Sequence, residues 1–94
     1  MILTTETGFT CELDVEALND WELHEILLDG GELVDSRFSR AVMNKCMSRA
    51  DAEKLKDHVR TETGRVPADA LVKEVMDLLQ QSKKEKNSSS SSTT

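Results

Sequence analysis

The sequence predicts a small α+β protein that is mainly α-helical, with an N-terminal β-hairpin, about four helices and a disordered C-terminal tail. Three observations predict this fold class. Apolar and polar residues alternate over residues 9–13, as expected for a strand with one buried face. Apolar residues then recur at helical spacing as far as residue 79, and the chain ends in a Lys/Ser-rich segment that has nothing apolar to bury.

The hairpin and the first helix are predicted from turn and capping residues. Residues 2–5 supply the partner strand, and Gly8 tolerates the positive φ of the turn between the strands. A short turn over residues 15–18 comes next. The first helix is expected over residues 20–28, with Asn19 as its N-cap and a glycine pair as its stop. Its predicted core stripe consists of Leu23, Ile26 and Leu27.

The second helix is expected over about residues 35–47, with Asp35 or Ser36 as its N-cap. Met43 and Met47 form a stripe four residues apart, beside the main apolar face. Methionine adapts both to irregular cores and to surfaces that accept varied partners, so the stripe belongs either to the core or to a partner-binding surface. The main apolar face consists of Phe38, Ala41, Val42 and Cys46.

Two further helices follow. Ser48 is predicted to cap the third helix, and Gly64 is predicted to end it at positive φ as its C′ residue. Pro67 suits the first turn of the fourth helix, where its missing N–H is no loss. The apolar stripe of the fourth helix consists of Leu71, Val72, Val75, Leu78 and Leu79.

The chain of 94 residues is predicted to form one domain over residues 1–81, followed by a disordered tail over residues 82–94. Ordering the tail would cost entropy with no apolar burial in return. The predicted domain lies near the lower size limit for a self-sufficient core. Its stability can therefore depend on a partner or on assembly into a homo-oligomer.

Charge excludes some classes of function. The chain has 18 acidic and 12 basic residues, a net charge of −6; the tail holds three lysines and one glutamate, so residues 1–81 carry −8. An acidic body argues against nucleic-acid binding, which needs clustered Lys and Arg. No apolar run is long enough to span a membrane, and we expect no secretory leader, because the first residues lack the basic-then-apolar pattern of one. The two cysteines are accordingly expected as free, buried thiols, with a disulfide as the less favoured alternative.

No motif for catalysis or metal binding stands out. Zinc sites usually present ligands in close pairs, whereas Cys11, His24, Cys46 and His58 each stand alone. The two cysteines fall on apolar faces, and the histidines are expected to be solvated on helices. We therefore expect no enzymatic activity, no metal and no cofactor.

One alternative class is an acyl-carrier-like protein. Asp35-Ser36 follows a glycine-containing loop and opens a helix, as does the serine that takes a phosphopantetheine arm in those proteins. Carrier proteins place Leu after that serine, whereas this chain has Arg37, and they lack an N-terminal hairpin. A helix N-cap explains Asp35 or Ser36 without a cofactor.

Three segments resemble the small tail assembly chaperones of long-tailed bacteriophages. Residues 55–67 end a helix in His-Val-Arg, pass through an acidic turn and continue as Gly-Arg-Val. Residues 9–14 read Phe-Thr-Cys-Glu-Leu-Asp, and residues 19–23, Asn-Asp-Trp-Glu-Leu, open a helix. The similarity covers most of residues 9–79, but the loop over residues 30–37 and the serine-rich tail do not match.

The resemblance implies a non-enzymatic assembly factor in the host bacterial cytoplasm that is absent from the mature virion. Such proteins bind the tape measure protein and keep it soluble while tail tube subunits polymerise around it. In many phages a translational frameshift adds a second domain that recruits the tube subunit; Lys83 and Lys84 mark where adenine-rich slippery codons would lie. The candidate partner-binding residues are Trp21, Leu28, Met43 and Met47.

A third class is an acidic phage inhibitor that imitates DNA and occupies a nucleic-acid-binding enzyme. The net charge of the body is compatible with this role. Mimicry requires carboxylates spaced along one surface, however, and here they are spread over caps and several helix faces. The chaperone hypothesis therefore ranks first.

Overall fold

The computed structural model describes residues 1–91, and the side chains of residues 1–85. It confirms the predicted fold class: a two-stranded antiparallel hairpin precedes four helices. The elements in chain order are β1 (Ile2–Thr4), β2 (Thr10–Glu12), a 3₁₀ turn (Val15–Leu18), α1 (Trp21–Asp29), α2 (Val34–Cys46), α3 (Arg49–Val59) and α4 (Ala68–Ser91).

The hairpin turns one face towards the helices. Leu3 pairs with Cys11 in the antiparallel register, and both side chains are buried. The side chains of the flanking pair, Thr4 and Thr10, point outward, and their hydroxyl oxygens are hydrogen-bonded at 2.8 Å. β1 packs mainly against α4, which gives this short hairpin the apolar support that an isolated one lacks.

α2 lies at the centre of the helical layer. It packs against α1, α3, α4 and the 3₁₀ turn. Val42 and Cys46 are almost fully buried, and they meet Leu55 of α3 and Val75 of α4 in one core. The remaining members of that core are Leu3, Phe9, Cys11, Leu13, Leu23, Met43, Met47 and Leu78.

The start of α1 differs from the prediction in its capping residue. Asp20, not Asn19, is the N-cap, because its carboxylate accepts from the backbone N–H groups of Glu22 at 2.7 Å and Leu23 at 3.3 Å. The predicted short turn before it is confirmed, and Asp14 caps that turn. At the other end of α1, Gly30 adopts φ 64° and its N–H bonds to Ile26, as expected for a glycine stop.

The predicted N-cap of α2 is wrong. Leu33 occupies the N-cap position and has no side-chain capping bond, while Asp35 and Ser36 already lie inside the first turn of the helix. By contrast, the Ser48 cap of α3 is confirmed by a 3.1 Å bond from the N–H of Asp51 to its hydroxyl. A leucine at an N-cap leaves backbone donors without a side-chain partner, so the start of α2 gains little from capping.

Gly64 has the predicted positive φ of 86°, but it is not the C′ residue of α3. That helix ends at Val59 with Arg60 as its C-cap, four positions earlier. The N–H of Gly64 instead closes a turn onto the carbonyl of Thr61 at 2.9 Å, and the Arg60 guanidinium donates to the Gly64 carbonyl. The glycine is therefore needed for the loop that joins α3 to α4.

α4 continues beyond the predicted domain boundary at residue 81. Its backbone is helical as far as Ser91, and the last three residues of the predicted tail, 92–94, lie outside the described residues. Ser82 is buried, and its hydroxyl donates to the Leu79 carbonyl at 2.7 Å. The face of α4 that packs on the domain thus includes at least one residue that the sequence assigned to the tail.

Candidate functional site

Large apolar side chains are exposed on α1 and in the loop that follows it. Trp21 is 68% exposed and Leu28 73% exposed, although both belong to an ordered helix. Leu27 is 51% exposed and Leu33, just after the helix, is 67% exposed. Isolated exposed leucines are ordinary, but four large apolar residues within thirteen positions suggest a contact surface. We call Trp21, Leu27, Leu28 and Leu33 the α1 surface.

The exposure of Leu27 corrects the predicted core stripe. α1 packs mainly against α2, so only a narrow strip of the helix is covered. Leu23 is 1% exposed and Ile26 is partly buried, whereas Leu27 points beyond the contact. Three apolar residues at helical spacing do not reveal how many neighbours the helix has.

An apolar groove lies beside the α1 surface, where the 3₁₀ turn, α1, α2 and α4 meet. Its volume is about 480 Å³, and its apolar lining consists of side chains that are only partly covered by the core. His24 of α1 and Lys83 of α4 also line it. His24 precedes Leu27 and Leu28 by one helical turn, so on α1 it is the residue that lies between the groove and these two leucines. The apolar lining residues are Val15, Leu18, Phe38 and Leu79.

Polar contacts hold both ends of α1. Lys45 of α2 donates to Glu22 at 2.8 Å and to Asp20 at 3.4 Å. Desolvation would raise the pKa of Asp20, but the two backbone N–H bonds and Lys45 outweigh it, so this pKa lies below its ordinary value. At the other end, the guanidinium of Arg37 donates to the carbonyl of Gly30. Exposed ion pairs contribute little individually, so these contacts orient the helix more than they stabilise it.

The four candidate partner-binding residues fall into two groups. Trp21 and Leu28 lie on the α1 surface, as a contact role requires. Met43 is 5% exposed and Met47 9% exposed, and both belong to the main core. Because α2 is covered on several sides, the methionine stripe is part of the core. Met43 and Met47 are therefore not part of the contact surface.

The remaining candidates have different surroundings. Ser36 is half-buried inside the first turn of α2, next to the exposed Arg37. Lys83 and Lys84 both lie on α4 with exposed side chains, and Lys83 lines the groove. Frameshifting at the lysine pair would depend on the nucleotide sequence of its codons and not on the side chains, so this role stays a prediction.

A polar cluster that the sequence did not predict ties the hairpin to α3 and α4. Glu74 is 4% exposed, and its Oε1 accepts from the hydroxyl of Thr5 at 3.0 Å and from that of Thr7 at 2.8 Å. His58 Nε2 lies 2.8 Å from the Thr7 hydroxyl and 3.8 Å from Glu74 Oε1. The His58 ring also packs beside Phe9, with centroids 5.4 Å apart, so this histidine is not simply solvated.

The geometry of this cluster favours a structural role. In a hydrolytic triad the carboxylate orients the ring nitrogen opposite the nucleophile. Here Glu74 contacts the hydroxyl of Thr7 itself and approaches the same ring nitrogen, Nε2, that faces it. One signal in the sequence could have located Glu74: it lies three residues after Leu71 and four before Leu78, on the apolar stripe of α4.

The cysteines are free, as predicted, and both are buried. Burial raises the pKa of Cys11 to about 11, and the nearby Asp51 carboxylate adds to the effect. The pKa of Cys46 is raised for the same main reason, with Asp14 and Asp20 contributing. Among residues 1–91, no group of three or more His, Cys, Asp or Glu side chains is placed to hold a metal ion.

Comparison of the chain with protein-family models, with curated proteins and with solved structures gives no match. Within the described part of the chain, none of the helices combines the length and the apolar character needed to cross a membrane.

Proposed function

We propose that this protein is a non-enzymatic tail assembly chaperone of a long-tailed bacteriophage. It binds the tape measure protein in the host cytoplasm, keeps that long helical chain soluble while tail tube subunits assemble around it, and is absent from the mature virion. The proposal combines the resemblance of residues 9–14, 19–23 and 55–67 to this family with the surface properties of the chain.

The observation that carries the proposal is the exposed α1 surface beside the apolar groove. A chaperone for a long helical protein must cover many similar apolar patches, each through a modest contact. The α1 surface offers Trp21 and two leucines on one short helix, and tryptophan is the residue most often found to dominate binding energy at interfaces. The groove gives room for a side chain of the bound helix.

The frameshifted form belongs to the same proposal. A second domain attached beyond Lys83 and Lys84 would follow the part of α4 that lines the groove through Leu79 and Lys83. Such a form would bring the tail tube protein close to the bound tape measure protein. An A-rich slippery heptamer across these codons, followed by a long open −1 frame, would support this part of the proposal.

Co-expression with the tape measure protein of the same phage tests the chaperone role. We expect the wild-type chain to raise the soluble fraction of the tape measure protein and to co-purify with the tape measure protein. Leu28→Asp should weaken both effects, because it places a charge in an apolar contact. Ile2→Asp is the matched control, since Ile2 is also 73% exposed but lies on β1.

Circular dichroism should report the same helical content for both variants. If wild-type chain neither binds nor solubilises the tape measure protein, the chaperone proposal is wrong. Capture of a DNA-processing enzyme in that case would favour the acidic inhibitor instead.

A further inference from the structure

We infer that the α1 surface recognises an amphipathic partner helix whose apolar stripe is bordered on one side by Lys or Arg. This inference rests on the proposed function and specifies the chemistry of the segment that is bound. It follows from the arrangement of charges around the α1 surface.

The two borders of the α1 surface differ in charge. Successive residues of a helix are separated by about 100°, so Trp21 and Leu28, seven positions apart, lie almost in line. Glu25 and Asp29 follow on the side away from His24, and all of these residues are exposed. His24 lies on the opposite side of that line, towards the groove and Lys83. Trp21 and Leu28 therefore separate a carboxylate border from the side of α1 that faces the groove, and Lys83 of α4 lines that groove.

The carboxylates of this border are available for a partner. Among residues 1–85, Glu25 and Asp29 take part in none of the ion pairs, whereas Glu22 is held by Lys45. Neighbouring carboxylates repel each other, and a cationic partner reduces this repulsion. A second anionic surface is repelled. Phosphate-rich partners such as nucleic acids and anionic membranes are disfavoured by the same border.

The proposed function supplies the occupant, which is a helix of the tape measure protein. Its apolar side chains cover Trp21 and Leu28, and its basic border faces Glu25 and Asp29. Apolar contact supplies most of the affinity, while the charges select the segment and its orientation. A tape measure protein offers many apolar stretches, and this border would restrict binding to those with Lys or Arg beside the stripe.

Two synthetic helical peptides test the inference. They carry the same apolar stripe and no tryptophan, and one side of the stripe is lined by Lys in the first peptide and by Glu in the second. Trp21 is the only tryptophan of the chain, so a blue shift of its emission reports binding at the α1 surface. We expect the Lys peptide to bind about fivefold to tenfold more tightly at low salt, as several exposed charge pairs would give. The preference should shrink at high salt.

Charge-reversed variants give the control. Glu25→Lys should remove or reverse the preference for the Lys peptide, whereas Glu62→Lys, an equal charge change in the exposed α3–α4 loop, should leave it intact. Equal binding of both peptides, or equal effects of the two variants, would overturn the inference. If the tape measure protein is solubilised in co-expression but the peptides show no charge preference, the chaperone proposal stands and only the inference fails. Failure of the co-expression test itself rejects the proposed function.

Discussion

Removing the Glu74 carboxylate should loosen the attachment of the hairpin to α4. Oε1 of Glu74 accepts from Thr5, which is 4% exposed, and from the exposed Thr7. A hydrogen bond to a charged group contributes about 1.5–3 kcal/mol when buried, and an exposed one contributes less. The substitution also removes the cost of burying a charge, and this gain offsets part of the lost hydrogen-bond energy. We therefore expect Glu74→Ala to lower the free energy of unfolding by about 2–3 kcal/mol.

The matched control is Asp77→Ala. Asp77 also joins α4 to the hairpin turn, because its Oδ2 accepts from the N–H of Glu6 at 2.8 Å, but that bond is exposed. Its Oδ1 accepts from the Gln81 amide at 3.0 Å within α4, a bond that Asp77→Ala removes as well. Loss of the bond to Glu6 should cost at most about 1 kcal/mol. For a domain of this size each kcal/mol corresponds to about 4–8 °C in Tm, so thermal unfolding followed by circular dichroism separates the two variants.

A double-mutant cycle isolates the buried bond. Thr5→Val removes the hydroxyl that donates to Glu74, and it also removes the acceptor of the Phe9 N–H at 3.1 Å. The Thr5→Val and Glu74→Ala changes together should cost less than the sum of the two, with a coupling energy of about 1–2 kcal/mol. Additive effects within about 0.3 kcal/mol would refute the argument that this contact fastens the hairpin.

Three other substitutions or measurements test single features. Ser39→Ala should leave stability unchanged or raise Tm by a few degrees, because the Ser39 hydroxyl is buried and has no hydrogen-bond partner among the described residues; a large loss in thermal unfolding would contradict this. Gly64→Val should lower the free energy of unfolding by about 1 kcal/mol or more in chemical denaturation, because φ is 86° at this position. A Cβ there would meet no neighbour, so the cost comes from the backbone conformation. A neutral result would show that the loop can rearrange. Cys11 should resist alkylation at pH 8 in the folded state and react more readily only as the pH rises towards its pKa of about 11 or after unfolding, which quantitative labelling can follow.

Local signals in the sequence predicted much of the fold. Ser48 and Gly30 mark helix ends through their own side chain or backbone conformation, so one short stretch of sequence suffices. The N-cap of α1 shows the limit of such signals. Asn19 and Asp20 are both residue types that cap helices well. Asp20 is the N-cap in the structure, where its carboxylate is also bound by Lys45 from another helix.

Burial depends on neighbours that the sequence does not name. Leu27 and Met43 both lie on apolar stripes, yet one is exposed and the other buried. The difference follows from position in the layer, since α2 is covered on several sides while α1 packs mainly against one helix. Glu74 shows the reverse case: a charged residue type is buried, because two threonines of the hairpin satisfy its carboxylate.

The one-sided packing of α1 is consistent with a contact role. The helix packs mainly against α2 through the buried Leu23 and the partly buried Ile26, which leaves its opposite side exposed. From α2, Lys45 binds the Glu22 carboxylate in the first turn of α1, and Arg37 donates to the carbonyl of its C-cap, Gly30. Because the packing on α2 and these polar contacts both lie away from Trp21 and Leu28, those two residues do not have to be buried to keep the helix in place. A substitution such as Leu28→Asp should therefore change binding without unfolding α1, which is why that position separates a contact role from a structural one.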